Sequence, residues 1–146
     1  MLRLFILPKI ILVGFIMTLA GLIMAGIIYN SDWFQKKYLY PFPYQKIITY
    51  YAKEKRLDPC LVASIILTES KFNPAAVSPK RAVGLMQLMP ETAGWIAGQI
   101  NDRNFKPEKL TDPETSIRLG TWYLASLLKE FNGNPVLALA AYNGGR

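Results

Sequence analysis

The chain has 146 residues, room for one domain of modest size, and its 17 Lys and Arg against 10 Asp and Glu leave a net charge of +7. It contains no His and a single Cys, Cys60, which excludes Ser-His and Cys-His nucleophiles, most zinc sites and any internal disulfide. The basic balance points to an anionic partner such as a membrane surface or an acidic polymer. No long basic run is interleaved with aromatics, which argues against nucleic acid as that partner.

Residues 10–29, "IILVGFIMTLAGLIMAGIIY", carry no charge, and as a helix they reach about 30 Å, the thickness of a bilayer's hydrocarbon. Arg3 and Lys9 precede the run, and Trp33, Phe34, Tyr38 and Tyr40 follow it as an interfacial belt. A cleaved signal peptide is the competing reading. The length of the run, and the lack of a small-x-small site before a polar start, favour an uncleaved transmembrane anchor. Lys36 and Lys37 weaken the charge asymmetry, but the amine and two basic side chains of residues 1–9 still favour a short cytoplasmic N-terminus. The expected product is a single-pass protein of the cytoplasmic membrane with its remainder on the extracytoplasmic side. No Leu-x-x-Cys arrangement follows the run, so a lipid anchor is not expected, and Cys60 reads as a small buried hydrophobe.

Residues 30–43 form a juxtamembrane joint that ends in Pro and aromatic residues. The folded domain then spans residues 44–146. Its first helix is expected from Tyr44 to Lys55, with Ile47, Ile48, Tyr51 and Ala52 at helical spacing. Asp58-Pro59 starts the second, because the Asp oxygen accepts from free N–H groups and Pro is tolerated in the first turn. Asn73-Pro74 stops it, since a residue before Pro is pushed out of the α region. Advancing about 100° per residue places Glu69 in the middle of an apolar arc made by Leu61, Ile65, Phe72, Val62 and Ile66. A Glu on a buried face is paired or used. Two readings stand on this helix: a structural Glu held by a neighbouring Arg, Lys or N–H, or a carboxyl whose pKa rises on desolvation until it donates a proton.

After a loop of Pro and small residues, Pro90 opens a third helix. Asp112-Pro113 starts a long fourth one that stops at Asn132-Gly133, and Asn134-Pro135 opens a short apolar fifth. No alternating strand pattern competes. The domain reads as all-α, with at most a small extended excursion near Val83 to Leu88. The closing Tyr142-Asn143-Gly144-Gly145-Arg146 reads as the start of a loop, so a C-terminally incomplete domain is expected.

Three stretches now converge. "TESKFNPAAVSPKRAVGLMQLMPETA", "DPETSIRLGTWYL" and "ALAAYNGG" resemble, in order and spacing, the signature blocks of the soluble lytic transglycosylase family, which has a lysozyme-like fold. The resemblance covers roughly residues 44–146. It implies cleavage of the β-1,4 bond between N-acetylmuramic acid and N-acetylglucosamine in peptidoglycan, without a metal or organic cofactor. It implies Glu69 as catalytic acid and base, and Ser78 as a hydroxyl holding the carboxyl and the substrate's acetamido group. Gln87 and Met89 match residues lining the sugar cleft, Tyr142 one that contacts the catalytic Glu, and Asn143 belongs to the same motif. Gly84 matches a position that keeps the backbone close to the cleft.

Plainer roles compete at several positions. By spacing alone Met86 and Met89 read as core filler, and Trp95, Trp122 and Tyr123 as core rather than sugar-stacking aromatics. Gln87 alone reads as an exposed polar residue, Tyr142 as a packed aromatic and Ser78-Pro79 as a turn pair. Arg81 stands where the family usually has Gly, which strains the backbone if that position needs positive φ. Two rival functions share the substrate: a lysozyme-like muramidase, in which water attacks, and a non-catalytic membrane-anchored scaffold that only binds peptidoglycan. Asp58 and Glu91 are explained as helix-start residues, so no second carboxylate is evident to activate water. Binding alone does not need a buried acid, which argues against the scaffold.

Overall fold

The computed structural model describes residues 2–35 and 42–144, and the chain divides after Phe42 into two units. The first unit is dominated by α1 (Leu2–Tyr29), which begins eight residues before the expected start of the anchor. Within it Ile11–Tyr29 has a mean hydropathy of 2.6 and its side chains are exposed, so it is long and apolar enough to cross a membrane. The Asn30 side-chain amide donates to the Gly26 carbonyl at 2.9 Å and closes the helix. Ser31 then accepts from the Phe34 N–H at 3.2 Å and caps the single turn α2 (Asp32–Phe34). Trp33 is exposed there. Tyr38 and Tyr40 of the expected belt, with Lys36 and Lys37, lie outside the described residues, as do Gly145 and Arg146.

The second unit is helical, with the excursion near Val83 reduced to two isolated bridges, Val77 to Val83 and Val83 to Leu88. Its helices are α3 (Gln45–Glu54), α4 (Pro59–Ser70), α5 (Pro90–Gln99), α6 (Pro113–Glu130) and α7 (Pro135–Gly144), with a 3₁₀ turn at Pro107–Thr111 that the sequence reading did not foresee. Four of the five start on Pro after a residue that is not helical, and two of these use the expected Asp caps. Asp58 accepts from the Cys60 N–H at 2.8 Å, and Asp112 from the Thr115 N–H at 2.9 Å.

The longest helix, α6, is the centre: α3, α5, α7 and the 3₁₀ turn all pack on it. Ile117, Leu119, Leu124 and Leu127 are buried on its faces with Ile48, Ile96 and Leu110 from its neighbours. Each such side chain contributes roughly 1.5–3 kcal/mol by leaving water. Tyr51 is buried between α3 and α6, where its hydroxyl donates to the Glu114 carboxylate at 2.8 Å. Burial, with this hydrogen bond, pushes the phenol pKa up to about 12.

The structure corrects several local expectations. α4 ends at Ser70, where Lys71 and Phe72 turn left-handed at φ 51° and 61°. Phe72 is therefore off the helix and not part of its apolar arc. Cys60 is exposed rather than buried, because it sits in the first turn beside the cap, where the helix faces solvent. Met86 is fully buried and packs against Gly120 of α6. Tyr123 is core, but Trp95 is not: it is 41% exposed and meets Trp122 edge-on.

Arg81 adopts φ 68°, in the left-handed region that costs a residue with a Cβ about 1–2 kcal/mol. The loop enforces this, since Arg81 N–H donates to the Ser78 carbonyl at 2.9 Å and Ala82 N–H to Ser78 Oγ at 3.0 Å. Replacing Arg81 by Gly relieves that strain and adds unfolded-state entropy, for a net gain of about 0.5–1 kcal/mol. Urea midpoints of the two proteins measure it; a lower midpoint for the variant refutes the strain.

Candidate active site

Glu69 stands in the last turn of α4, two residues before the left-handed exit at Lys71. Val62, Ile65 and Ile66 on the same helix are buried, and Glu69 itself is half-buried. Among the described residues no hydrogen bond or ion pair engages its carboxyl. Desolvation by burial raises its pKa from the ordinary 4.5. Among the described residues, then, no cation or N–H supplies the partner that a structural reading of Glu69 needs.

The next residue, Ser70, locks this turn in place. It is buried, and its hydroxyl lies 2.9 Å from the Leu85 carbonyl and 3.0 Å from the Ile66 carbonyl. The bond to Leu85 ties α4 to the loop that carries Gln87. Sequence reasoning missed this role, although a Ser at the end of an apolar helix face is itself a signal that a buried hydroxyl needs a partner. Ser70→Ala leaves the Leu85 carbonyl without its donor and costs about 1–2 kcal/mol. Denaturant unfolding checks this; an unchanged midpoint refutes the tie.

A cleft of about 450 Å³ opens over Glu69, lined also by Ser78, Lys80, Ala82, Gln87, Met89, Thr92, Tyr142, Asn143 and Gly144. A smaller hollow of about 210 Å³ adjoins it between α4 and α7, and Glu69, Tyr142 and Asn143 line both. Among the described residues Glu69 is the only carboxylate lining either. A larger depression of about 620 Å³, around Trp122 and Lys129 on α6, is shallow. Chemistry rather than volume selects the cleft over Glu69.

Six of the seven residues named for the site thus come together: Glu69, Ser78, Gln87, Met89, Tyr142 and Asn143. Gln87 sits at φ 44°, and its amide N–H₂ donates to the Ala76 carbonyl at 3.1 Å and the Gly84 carbonyl at 2.9 Å. It is a bound element of the loop, not a solvated polar residue. Ser78 Oγ accepts from Ala82, which leaves its own proton to offer the cleft. Met89 lines the cleft while Met86 fills the core, so the two methionines divide the roles that spacing alone assigned to both.

Gly84 and Tyr142 are each held by a partner in the loop or core. Gly84 does not line the cleft: it is buried at φ 82° against the Leu110 carbonyl and Ser116, and approaches the 3₁₀ turn instead. Tyr142 lines both hollows with Glu69, while its hydroxyl donates to the Met86 carbonyl at 2.7 Å and its ring leans on Tyr123 at 5.4 Å between centroids. Tyr142 and Glu69 are also close electrostatically. Burial first, then the Glu69 charge, pushes the Tyr142 phenol far above its ordinary range, so it stays neutral.

An all-α domain with one desolvated carboxyl in an open cleft defines a lysozyme-like class of fold and site. The model of the Transglycosylase SLT domain family matches residues 46–146, and the chain belongs to that family. The soluble lytic murein transglycosylase of Salmonella typhimurium is 36% identical over 107 residues, which are 73% of this chain and 17% of that protein. The membrane-bound lytic murein transglycosylase C of Serratia proteamaculans is 42% identical over 98 residues, 61% of this chain and 27% of that protein. Among solved structures, the 70 kDa soluble lytic transglycosylase of Escherichia coli superposes with a TM-score of 0.69 at 36% identity, over 72% of this chain and 17% of that one. The chain therefore spans about a sixth of the length of the soluble relatives it matches.

Proposed function

We propose that this chain is a membrane-anchored peptidoglycan lytic transglycosylase that works with one carboxyl group. The observation that carries the reading is Glu69: desolvated and, among the described residues, without a partner and the sole carboxylate of its cleft. Its raised pKa suits it to donate a proton to the glycosidic oxygen between N-acetylmuramic acid and N-acetylglucosamine as the C1–O bond breaks. The acetamido group of the muramic residue stabilises the oxocarbenium-like centre, one of the exceptions to the two-carboxylate rule. The resulting Glu69 carboxylate then takes the proton from the C6 hydroxyl, whose oxygen closes on C1. The products are a free N-acetylglucosamine 4-hydroxyl and a 1,6-anhydro end, and Glu69 finishes protonated as it began. No metal or cofactor enters this scheme.

The supporting residues take roles their geometry allows. Ser78 offers its hydroxyl proton to the acetamido oxygen, and Gln87, with its N–H₂ tied to backbone, offers its carbonyl oxygen to a sugar hydroxyl. Met89 supplies an apolar wall, and Tyr142 and Asn143 close the α7 side. Gly84 supports the loop from behind rather than touching sugar. In the same reading residues 1–9 lie in the cytoplasm, residues 10–29 span the membrane once, residues 30–43 join, and residues 44–146 act outside on peptidoglycan. The apolar helix and the membrane-bound relatives support that arrangement.

Mass spectrometry of fragments released from purified peptidoglycan by the full chain in detergent tests the proposal. Anhydro-muramic ends are expected. Fragments one water heavier make the protein a muramidase, and binding without release makes it a scaffold.

A further inference from the structure

Trp95 is the aromatic that the mechanism leaves unused. It lies on α5 at positions i+3 from Thr92 and i+4 from Glu91, so the three share one helix stripe. With Tyr123 they line a hollow of about 320 Å³. Thr92 lines this hollow and also the cleft over Glu69. The two depressions therefore share a wall, and the path from one to the other runs along α5, where Thr92 and Trp95 are separated by about 4.5 Å of helix rise. That step is comparable with the length of one pyranose ring.

Trp95 is 41% exposed, an amphipathic ring partly in water. Trp122 meets it at 5.7 Å between centroids and 70° between planes, a contact that fixes the ring's orientation before any ligand arrives. Beside it Glu91 and Thr92 offer a carboxylate and a hydroxyl, groups that bond sugar hydroxyls at a ring edge. An apolar ring face flanked by hydrogen-bonding groups is what a saccharide presents as a complement: axial C–H on one face, hydroxyls around the rim.

We infer that Trp95, with Glu91 and Thr92, forms a distal saccharide site that holds the same glycan strand beyond the cleft over Glu69, so that long strands bind better than short ones. The site rests on the transglycosylase reading for its occupant, and continuity through Thr92 argues for that occupant over an unrelated partner. Trp95 acts here in binding and not on the reacting atoms.

Binding is the readout that separates the two ideas. In the full chain carrying Glu69→Gln, in detergent, affinities are measured for purified glycan strands of about eight sugars, long enough to pass Thr92, and for strands of half that length. Adding Trp95→Ala weakens the long strand on the order of fivefold to tenfold and leaves the short one within about twofold. Trp95→Phe, which keeps an aromatic face, retains most of the long-strand preference and guards against a folding defect, which thermal unfolding of both variants also checks. Equal weakening of both lengths, or none of either, overturns the distal site while leaving the reading of Glu69 intact. Failure of the parent to bind either length overturns the occupant itself. Cleavage by the chain bearing Glu69, assayed separately, decides the transglycosylase reading whatever Trp95 does.

Discussion

Glu69→Gln is expected to keep the fold and glycan binding while lowering cleavage by at least ~10³-fold, because the amide neither donates a proton to a leaving oxygen nor accepts one from the C6 hydroxyl. The substitution is nearly isosteric, and no described hydrogen bond or ion pair is lost with the carboxylate. Release of anhydro fragments per unit time is the measurement. A variant within about tenfold of the parent removes Glu69 from its assigned role.

The same variant carries a pH signature with a defined sign. Burial raises the Glu69 pKa above 4.5, so the folded chain holds this proton more tightly than the unfolded chain. The stability contributed by the protonated form is fully present below the unfolded value and is lost as pH rises through the raised folded value. Above that value the fold carries a desolvated charge that Gln does not. The denaturation midpoint of Glu69→Gln should therefore gain on the parent as pH climbs from 4.5 and then level off. A difference that is flat across this range shows that the carboxyl is not desolvated. Proton donation by Glu69 follows the same titration and weakens above it, so activity on the alkaline side falls with the same pKa.

The second large effect belongs to a residue that does not line the cleft. Gly84→Ala places a Cβ onto the Leu110 carbonyl oxygen, with Ser116 Oγ only 2.9 Å away, at a φ of 82°. The obstacle is the backbone of buried Leu110 in the 3₁₀ turn and cannot rotate aside. Ser116 in turn accepts from the Met86 N–H at 3.2 Å, so the loop must move away from α6, carrying Gln87 and Met89 with it. A loss of about 3 kcal/mol or more is expected from strain and disrupted packing together. Activity per folded molecule also falls, because the cleft wall shifts. Gly98→Ala, in α5 where an added Cβ meets nothing, is the control, with an expected gain of about 0.5–1 kcal/mol. If the two variants move the urea midpoint alike, close packing at Gly84 is refuted.

Local signals in the chain determined much of this architecture. Asp58-Pro59 and Asp112-Pro113 set two helix starts, Asn132-Gly133 set a stop, and the uncharged run before Tyr29 set a helix of membrane length, because capping and hydropathy act over a few neighbouring residues. The seating of Glu69 among Val62, Ile65 and Ile66 was equally legible, since helical rotation alone carries it there. Partners across the fold were not. Gly84 meeting Leu110, Ser70 meeting Leu85, Tyr142 meeting Met86 and Met86 meeting Gly120 all join segments separated by 15 to 56 positions. Their choice depends on how α6 arranges the elements packed on it. Cys60 and Trp95 were misread as buried for the same reason: apolar character states a preference for burial, and only the packed neighbours decide which side chains obtain it.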